Sequence, residues 1–400
     1  MRNSERLSQL LQRLDAVIVS IDAHGWAKRS FAPIVLTLAV ISLVTACPDY
    51  AHFGPYPGVP WAAEAVAWKF NHPFALIPVA EVSHRAGASD GGIIEQLGKR
   101  SYRIAIPAAA NTLGIGITTT LVVQQAAAVV FLGIFVLVAR EALGDATSAL
   151  FAGLMAATSF VGQWGFNDFT NFDGFAYLTL LLILWMRSAV CVALLTLFGG
   201  FCDERVILAI PLVWLWHAAR PARQELQRPQ PLETRENPGA FQFARAHWGL
   251  LAGFLGFGVL RLLLGFHWHQ MVDTSGMRFA VMKSNLLWLP LALFGGIKGG
   301  ALLFFGAGLL MVTLGGESYL ALVGFATAPC VIAALWVYDL TRSLTFAFPS
   351  YFLAMCVLRR HMSRIEIRRL TFCAAFGCAI FPTYWVLLRV YCLLPVLRWL

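Results

Sequence analysis

The feature that most constrains this chain is a series of long apolar segments that carry almost no charged residues. The clearest are residues 31–46, 117–139, 146–161, 248–266 and 319–337. Crossing a bilayer as an α-helix takes roughly 17 to 25 such residues, and these segments approach or reach that length. Shorter apolar segments at 175–186, 188–201 and 206–216 indicate tilted or partly buried helices around an internal polar region.

Composition supports the same interpretation. The 400 residues are 58% hydrophobic and 13% charged, with a mean hydropathy of +0.69, whereas soluble domains carry about 25% charged residues. We therefore expect an all-α, polytopic integral membrane protein with about 11 transmembrane helices. The first extracytoplasmic loop is expected to be long.

The positive residues predict the orientation. The net charge of +9 comes largely from arginines in the segments between spans, and Lys and Arg concentrate in cytoplasmic loops. A cytoplasmic N-terminus places the cluster Arg359–Arg369 inside, as this rule requires. We predict a multi-pass protein of the bacterial inner (plasma) membrane, with membrane lipids and no nucleic acid among its partners.

The order of segments gives the domain organisation. Residues 1–30 are expected to form a cytoplasmic amphipathic segment, and residues 31–400 a single multi-span domain. Within it, 48–106 is the main extracytoplasmic loop, with a helix predicted at 62–70, and 217–247 is a cytoplasmic loop. Paired glycines predict a kinked or re-entrant helix within 286–314, and 370–397 is expected to be the last span.

Metal and redox chemistry find little support in the sequence. The eight cysteines lack metal-ligand spacing and are expected to be small buried hydrophobes. His267 and His269 with Asp273 form only a weak metal motif. We predict that no cofactor is required, and the sequence does not support a divalent metal.

Polar residues from separate segments return to the predicted outer side. Ionisable groups near membrane depth are costly, so they indicate function by default. Arginine and histidine suit the phosphate of a lipid head group, and a carboxylate can accept a proton from an acceptor hydroxyl. The candidate site residues are Asp49, Glu64, His84, Arg100, Arg103, Asp173, Glu204, Arg205, Asp339 and Arg342.

Four short motifs occur along this layout. Lys99–Pro107 leads from the first loop into the next helices, and Asn171–Gly174 opens a span. Asp203–Arg205 and Asp339–Arg342 head two later spans. Together with the first span and large outer loop, this order resembles the C-type glycosyltransferase superfamily of polytopic membrane enzymes, over most of the chain.

The resemblance implies a function and roles for residues. Such enzymes transfer sugars from polyprenyl-phosphate-linked donors on the outer face, using an acid in the first outer loop. Here that base would be Asp49, with Glu64 as the substitute. The implied donor is a polyprenyl-phosphate sugar, and the acceptor is an unidentified lipid, glycan or protein of the cell envelope. Arg100, Arg103 and Arg342 would bind the donor phosphate, Asp173 and Glu204 would position the acceptor or the arginines, and His84, Arg205 and Asp339 would complete the substrate site.

Other interpretations stay open at this point. The chain could be a transporter or flippase of a lipid-linked or anionic solute, or a noncatalytic subunit of an envelope-polysaccharide assembly. Asp173 is equally suited to cap a helix, and Asp339 and Arg342 have the spacing of a local ion pair. Arg100 and Arg103 are also suited to anchoring lipid head groups nonspecifically.

Overall fold

The fold is mostly helical. The computed structural model describes Gln9 and residues 12–13, 15–20, 31–46, 48, 60–78, 81–82, 84, 100–168, 171–220, 245–268, 279–337, 339–387 and 389–393. The first helices are α1 (Phe31–Ala46), α2 (Pro60–Asn71), α3 (Ala105–Leu113), α4 (Ile117–Leu143), α5 (Ala146–Ala157), α6 (Phe160–Asn167), α7 (Asp173–Trp185), α8 (Ala189–Cys202), α9 (Arg205–Leu208) and α10 (Ile210–Ala219). They are followed by α11 (Arg245–His267), α12 (Phe279–Leu291), a π-helical segment (Ala292–Ile297), α13 (Gly299–Thr313), α14 (Glu317–Trp336), α15 (Leu340–Thr345), α16 (Pro349–His361) and α17 (Arg364–Ile380).

Among the described residues, three helices, α4, α11 and α14, are long and apolar enough to cross a membrane. The number rises to five if each of two bent pairs counts as one span: α5 with α6, bent by 50°, and α12 through the π-helical segment with α13, bent by 106°. The expected number of about 11 spans is not confirmed, because α1, α7, α8 and α10 are shorter apolar helices. The described part of the chain is thus all-α, with three to five helices that could span a membrane.

Two clusters of charged residues lie near opposite ends of helix α4, and we call these places the Asp173 end and the Glu141 end. Helix α4 begins near the Asp173 end, where Gln124 Nε2 donates to the Asp168 carbonyl at 2.5 Å. The helix ends at the Glu141 end. There the Glu141 carboxylate binds the guanidinium groups of Arg187 and Arg220, at 2.6 and 2.5 Å.

At the Glu141 end, hydrogen bonds also join α16 to α4 and α17 to α5. Arg359, in the last turn of α16, donates to the Glu141 carbonyl at 3.1 Å. Asp145 is the N-cap of α5, and its carboxylate accepts hydrogen bonds at 2.9 Å from both Arg368 Nε and Arg368 Nη2. Arginines predicted to lie on the inner side therefore gather at one end of the bundle.

An aromatic layer fills the bundle between the two ends. Its members are almost completely buried and contact one another through tilted or edge-on rings, with centroids 4.8 to 6.5 Å apart. Such pairs add about 0.5–1.5 kcal/mol each beyond the burial of their area. The layer consists of Phe131, Phe135, Tyr177, Trp216, Phe346, Phe348 and Phe352.

Several local predictions are confirmed. Helix α1 has the predicted bounds, the loop helix at 62–70 is α2, and the described residues of 9–20 are helical. The predicted break within 286–314 occurs at Lys298, which has a φ of 53°. Its ammonium donates to the carbonyls of Thr158, Cys378 and Phe381 at 2.8, 3.1 and 2.7 Å, so one lysine binds the ends of three chain segments.

The prediction of a last span over 370–397 is wrong. Helix α17 ends at Ile380, and an antiparallel hairpin follows, with β1 at Thr383–Leu387 and β2 at Arg389–Leu393. Pro382 cannot donate the backbone hydrogen bond that a continuing helix needs. The following residues, Thr-Tyr-Trp-Val, are β-branched and aromatic types that favour strands.

Candidate functional site

At the Asp173 end, a buried ion pair joins helices α7 and α15. Arg342 donates from Nε to Asp173 Oδ2 and from Nη2 to Oδ1, the latter at 2.8 Å. Trp164 Nε1 donates to the same carboxylate at 2.9 Å. Asp173 is fully buried, so these charge-assisted hydrogen bonds compensate for the cost of removing its charge from water.

A second buried carboxylate, Asp203, follows α8 and links it to α9 and to the segment before α3. Arg205 binds it through Nε at 2.8 Å and Nη2 at 2.6 Å, and Arg103 Nη2 approaches Oδ2 at 2.9 Å. Burial acts to raise the pKa of Asp203, but the charges of Arg103 and Arg205 outweigh burial and hold the pKa well below its usual range. The carboxylate therefore stays ionised.

The two ion pairs form one network. Arg205 Nη2 lies 3.6 Å from Asp173 Oδ1, and Arg342 Nη2 lies 3.7 Å from Asp203 Oδ2. Asp339 caps α15 by accepting from the Arg342 amide at 3.2 Å, and its carboxylate also receives Trp385 Nε1 from strand β1 at 2.9 Å. Because the acids come from different segments, the network positions α7, α9, α15 and the hairpin relative to one another.

A tight turn before α7 sets the direction of Asp173. The Asp168 carboxylate accepts from the backbone amides of Asn171 and Asp173, at 2.9 and 2.7 Å. Phe172 adopts a left-handed conformation with φ 59°, which is costly for an aromatic residue and persists only where surrounding contacts impose it. Burial and the nearby charge of Asp173 raise the pKa of Asp168.

A pocket of about 410 Å³, including its open mouth, lies beside this network. Three cationic residues line it, namely Lys69, Arg100 and Arg103, and no carboxylate is among its described lining residues. Burial, with the neighbouring charges of Arg103 and Arg342, lowers the pKa of Arg100 to about 9. The rest of the wall is mainly apolar and consists of Ala65, Val66, Phe70, Ile106, Pro107, Asn171, Phe172, Phe201 and Cys202.

Hydrogen bonds and a cation–π contact hold together the segments around Lys69 of the pocket wall. Lys69 Nζ donates to the carbonyls of Pro73, Ala75 and Ser101 at 2.6, 3.0 and 2.9 Å. Farther along, the Arg261 guanidinium of α11 lies 3.5 Å from the centroid of the Tyr102 ring, in a cation–π arrangement. These contacts join α2, the segment before α3, and α11.

Most of the candidate residues chosen from the sequence come together here. Asp173, Arg205, Asp339 and Arg342 belong to the network, Arg103 belongs to both network and pocket, and Arg100 lines the pocket. Glu204 lies at the edge, 3.6 Å from Arg103 Nε. The alternative in which Asp173 caps α7 is wrong, because Phe172 is the N-cap residue and Asp173 is the first residue of the helix.

Two candidates lie elsewhere. Glu64 is half-buried on α2 but does not line the pocket, and His84 is exposed. Asp49 lies outside the described residues. So do His269 and Asp273 of the weak metal motif, and among the described residues no group of three His, Cys, Asp or Glu side chains could hold a metal ion.

The selection from sequence missed three important residues. Asp203, and not its neighbour Glu204, is the buried partner of two arginines, and Asp168 forms the turn before α7. Lys69 was also missed. Its signal was present in the sequence, because a lysine in the otherwise apolar stretch Val66–Phe70 needs buried acceptors if that stretch packs against the bundle.

Comparison with known protein families, curated proteins and solved structures finds no match to this chain.

Proposed function

We propose that this protein is a membrane glycosyltransferase that transfers a sugar from a polyprenyl-phosphate-linked donor to a lipid, glycan or protein acceptor on the extracytoplasmic face. The observation that carries the proposal is the pocket wall, which combines Lys69, Arg100 and Arg103 with apolar side chains and no described carboxylate. An isoprenoid phosphate has the matching chemistry, because its phosphate suits the cations and its chain suits the apolar wall.

Within this proposal, Arg100 and Arg103 bind the donor phosphate. Arg342 already donates two hydrogen bonds to the Asp173 carboxylate, so its role is to fix the network. Asp173 and Glu204, with Arg205 and Asp339, keep the arginines in position. Rigid support of this kind is what a site needs to hold a donor in reactive geometry.

Asp49 is the proposed catalytic base, with Glu64 as the substitute. Asp49 follows Ala46 by three residues, and the Ala46 carbonyl accepts from Asn167 Nδ2 at 3.3 Å, just before the Asp168 turn. Three residues span at most about 10 Å. This covalent limit supports a role for Asp49 at the Asp173 end, where the donor would bind.

The alternation of helix ends supports a topology of about eleven crossings, in which α5 with α6, α9 with α10, α12 with α13, and α15 with α16 each make one pass. The Glu141 end, rich in arginine, would face the cytoplasm of a bacterial plasma membrane. The N-terminus would then be cytoplasmic, and the pocket would open to the outside.

A transporter or flippase is the second candidate, because the bends of 50° and 106° are of the kind that form binding sites in carriers. The buried aromatic layer between the two ends favours an enzyme, since a carrier needs access to its site from both faces. A noncatalytic assembly subunit would keep the pocket without needing Asp49.

The test is sugar transfer in liposomes containing the purified protein, with a panel of radiolabelled polyprenyl-phosphate sugars. We expect Asp49→Asn to abolish transfer and Arg100→Gln to weaken donor binding, while His84→Gln, at an exposed position, acts as the matched control. Gel filtration checks that each variant is folded. Movement of label across the bilayer without transfer would support the carrier, and neither activity with any donor would overturn both functions.

A further inference from the structure

An apolar crevice lies between α13, α14 and α16, away from the pocket described above. Its volume, including its open mouth, is about 280 Å³, and its wall includes Ala307, Gly308 and Met311 of α13 and Tyr319 of α14. Leu353 and Val357 of α16 close it on the third side. The crevice lies toward the Glu141 end, because Val357 is only two residues before Arg359, which binds the Glu141 carbonyl.

The surroundings of the crevice are suited to lipid. Next to its wall on α13, Phe305, Leu309 and Val312 are exposed by 49%, 68% and 49%. In a chain with membrane-spanning helices, large apolar side chains with this exposure face acyl chains. A lipid tail can therefore enter the crevice directly from the bilayer.

Arg360 supplies a positive charge where the head group of such a lipid would lie. Arg360 follows Val357 by three residues, so both lie on the same side of α16. Arg360 is half-buried, and no described carboxylate lies within ion-pair distance of it. Arg364 and Arg368, by contrast, are paired with Asp145.

We propose that this crevice binds one anionic phospholipid, with an acyl chain between α13, α14 and α16 and the phosphate on Arg360. Charge selects the head group, because a zwitterionic lipid offers the same tail but adds a positive group beside the arginine. The proposal depends on insertion in a membrane and not on sugar transfer, so either can fail without the other.

The experiment uses the full-length protein in nanodiscs of phosphatidylcholine with a small fraction of phosphatidylglycerol that carries a photoreactive group in its acyl chain. We expect crosslinks on Ala307, Met311 or Leu353, mapped by mass spectrometry. Arg360→Gln should lower their yield about fivefold, as expected for the loss of one basic residue near an anionic surface. Gly308→Phe should abolish them by filling the crevice, and a Cβ at Gly308 meets only Leu320 Cδ1, at 3.6 Å.

Two matched controls keep the test specific. The first control is Gly306→Phe, because Gly306 lies on the same helix but outside the crevice, and a Cβ there has nothing within 4 Å. The second is Arg140→Gln, which removes an exposed arginine near the same end. Both should crosslink like the unmodified protein. The proposal is overturned if photoreactive phosphatidylcholine labels the same residues equally well, or if the controls lose as much crosslinking as Arg360→Gln.

Discussion

Two arginines from different segments, Arg103 and Arg205, bind the Asp203 carboxylate. Replacing Asp203 should therefore affect both arginines. A buried carboxylate compensates for the charge of its partners. When it is replaced by a neutral side chain, the partners remain buried without that charge. Arg103 and Arg205 would both be left in this state, because Arg103 Nη2 and two nitrogens of Arg205 contact Asp203.

We predict that Asp203→Asn lowers the free energy of unfolding by about 3–5 kcal/mol, the usual cost of breaking a buried ion pair. Denaturant titration of the purified protein in detergent measures this change. Glu317→Gln is the control, because Glu317 is an exposed acid in the first turn of α14. Equal effects of the two substitutions would contradict the role assigned to Asp203.

Lys69 should make stability depend on pH. Burial lowers the pKa of its ammonium from 10.5 to about 7, so between these values the unfolded chain binds a proton that the folded chain releases. Stability contributed by this group should therefore rise with pH from about 7 to 10.5, by at most about 1.4 kcal/mol per pH unit. Lys69→Met should remove that rise, which unfolding titrations at pH 6, 7.5 and 9 would measure as a difference in slope. Parallel curves for the two proteins would contradict this prediction.

Sequence alone identified the charged residues at helix ends but not their pairing. Asp203 and Glu204 are adjacent and chemically alike, and only the tertiary approach of Arg103 and Arg205 determines which is buried. The same holds for Arg342, whose local partner Asp339 is 3.6 Å away, while Asp173, far along the chain, accepts two of its hydrogen bonds.

At the scale of elements, the sequence predicted the helices that are defined by a long apolar segment. It did not predict where every helix ends. Helix α1 and the loop helix α2 followed from their composition. The hairpin did not, because its residues are as apolar as those of a span and only Pro382 marks the change. Likewise, the predicted span 146–161 is divided into α5 and α6, where Lys298 binds the Thr158 carbonyl from a distant segment.

Packing of α13 gives a prediction at this scale. A Cβ at Gly300 would clash with the ring of the buried Tyr351, whereas a Cβ at Gly306 has nothing within 4 Å. Gly300→Ala should lower the free energy of unfolding by about 1–3 kcal/mol through overpacking. Gly306→Ala should leave it unchanged or raise it by up to about 1 kcal/mol, since alanine favours helix. Unfolding titrations of the pair test this, and equal effects would contradict the close approach of α13 and α16.

At the scale of the whole molecule, charge is divided between the two ends. Arginines paired with Glu141 and Asp145 lie at one end, and the network of Asp173 and Asp203 lies at the other. The aromatic layer separates them. In the proposed topology of about eleven crossings, this division would place the two groups of charges on opposite sides of the membrane.

Cysteine labelling tests that topology. Single cysteines at Asn71, Arg140 and Thr313, all exposed, would be introduced into a variant whose own cysteines are replaced. A membrane-impermeant maleimide applied to intact cells should label Asn71→Cys, while Arg140→Cys and Thr313→Cys should react only after the membrane is opened. Labelling of all three from one side would contradict the proposed number of crossings.

The contacts of Lys298 also bear on the order in which the chain can be completed during synthesis. Of the three carbonyls that hold its ammonium, only that of Thr158 has been made when the ribosome reaches residue 298, and those of Cys378 and Phe381 follow about 80 residues later. Until then the Lys298 ammonium has only one of its three carbonyl acceptors, that of Thr158. We therefore expect a chain that ends before residue 378 to lack two of the three acceptors of Lys298.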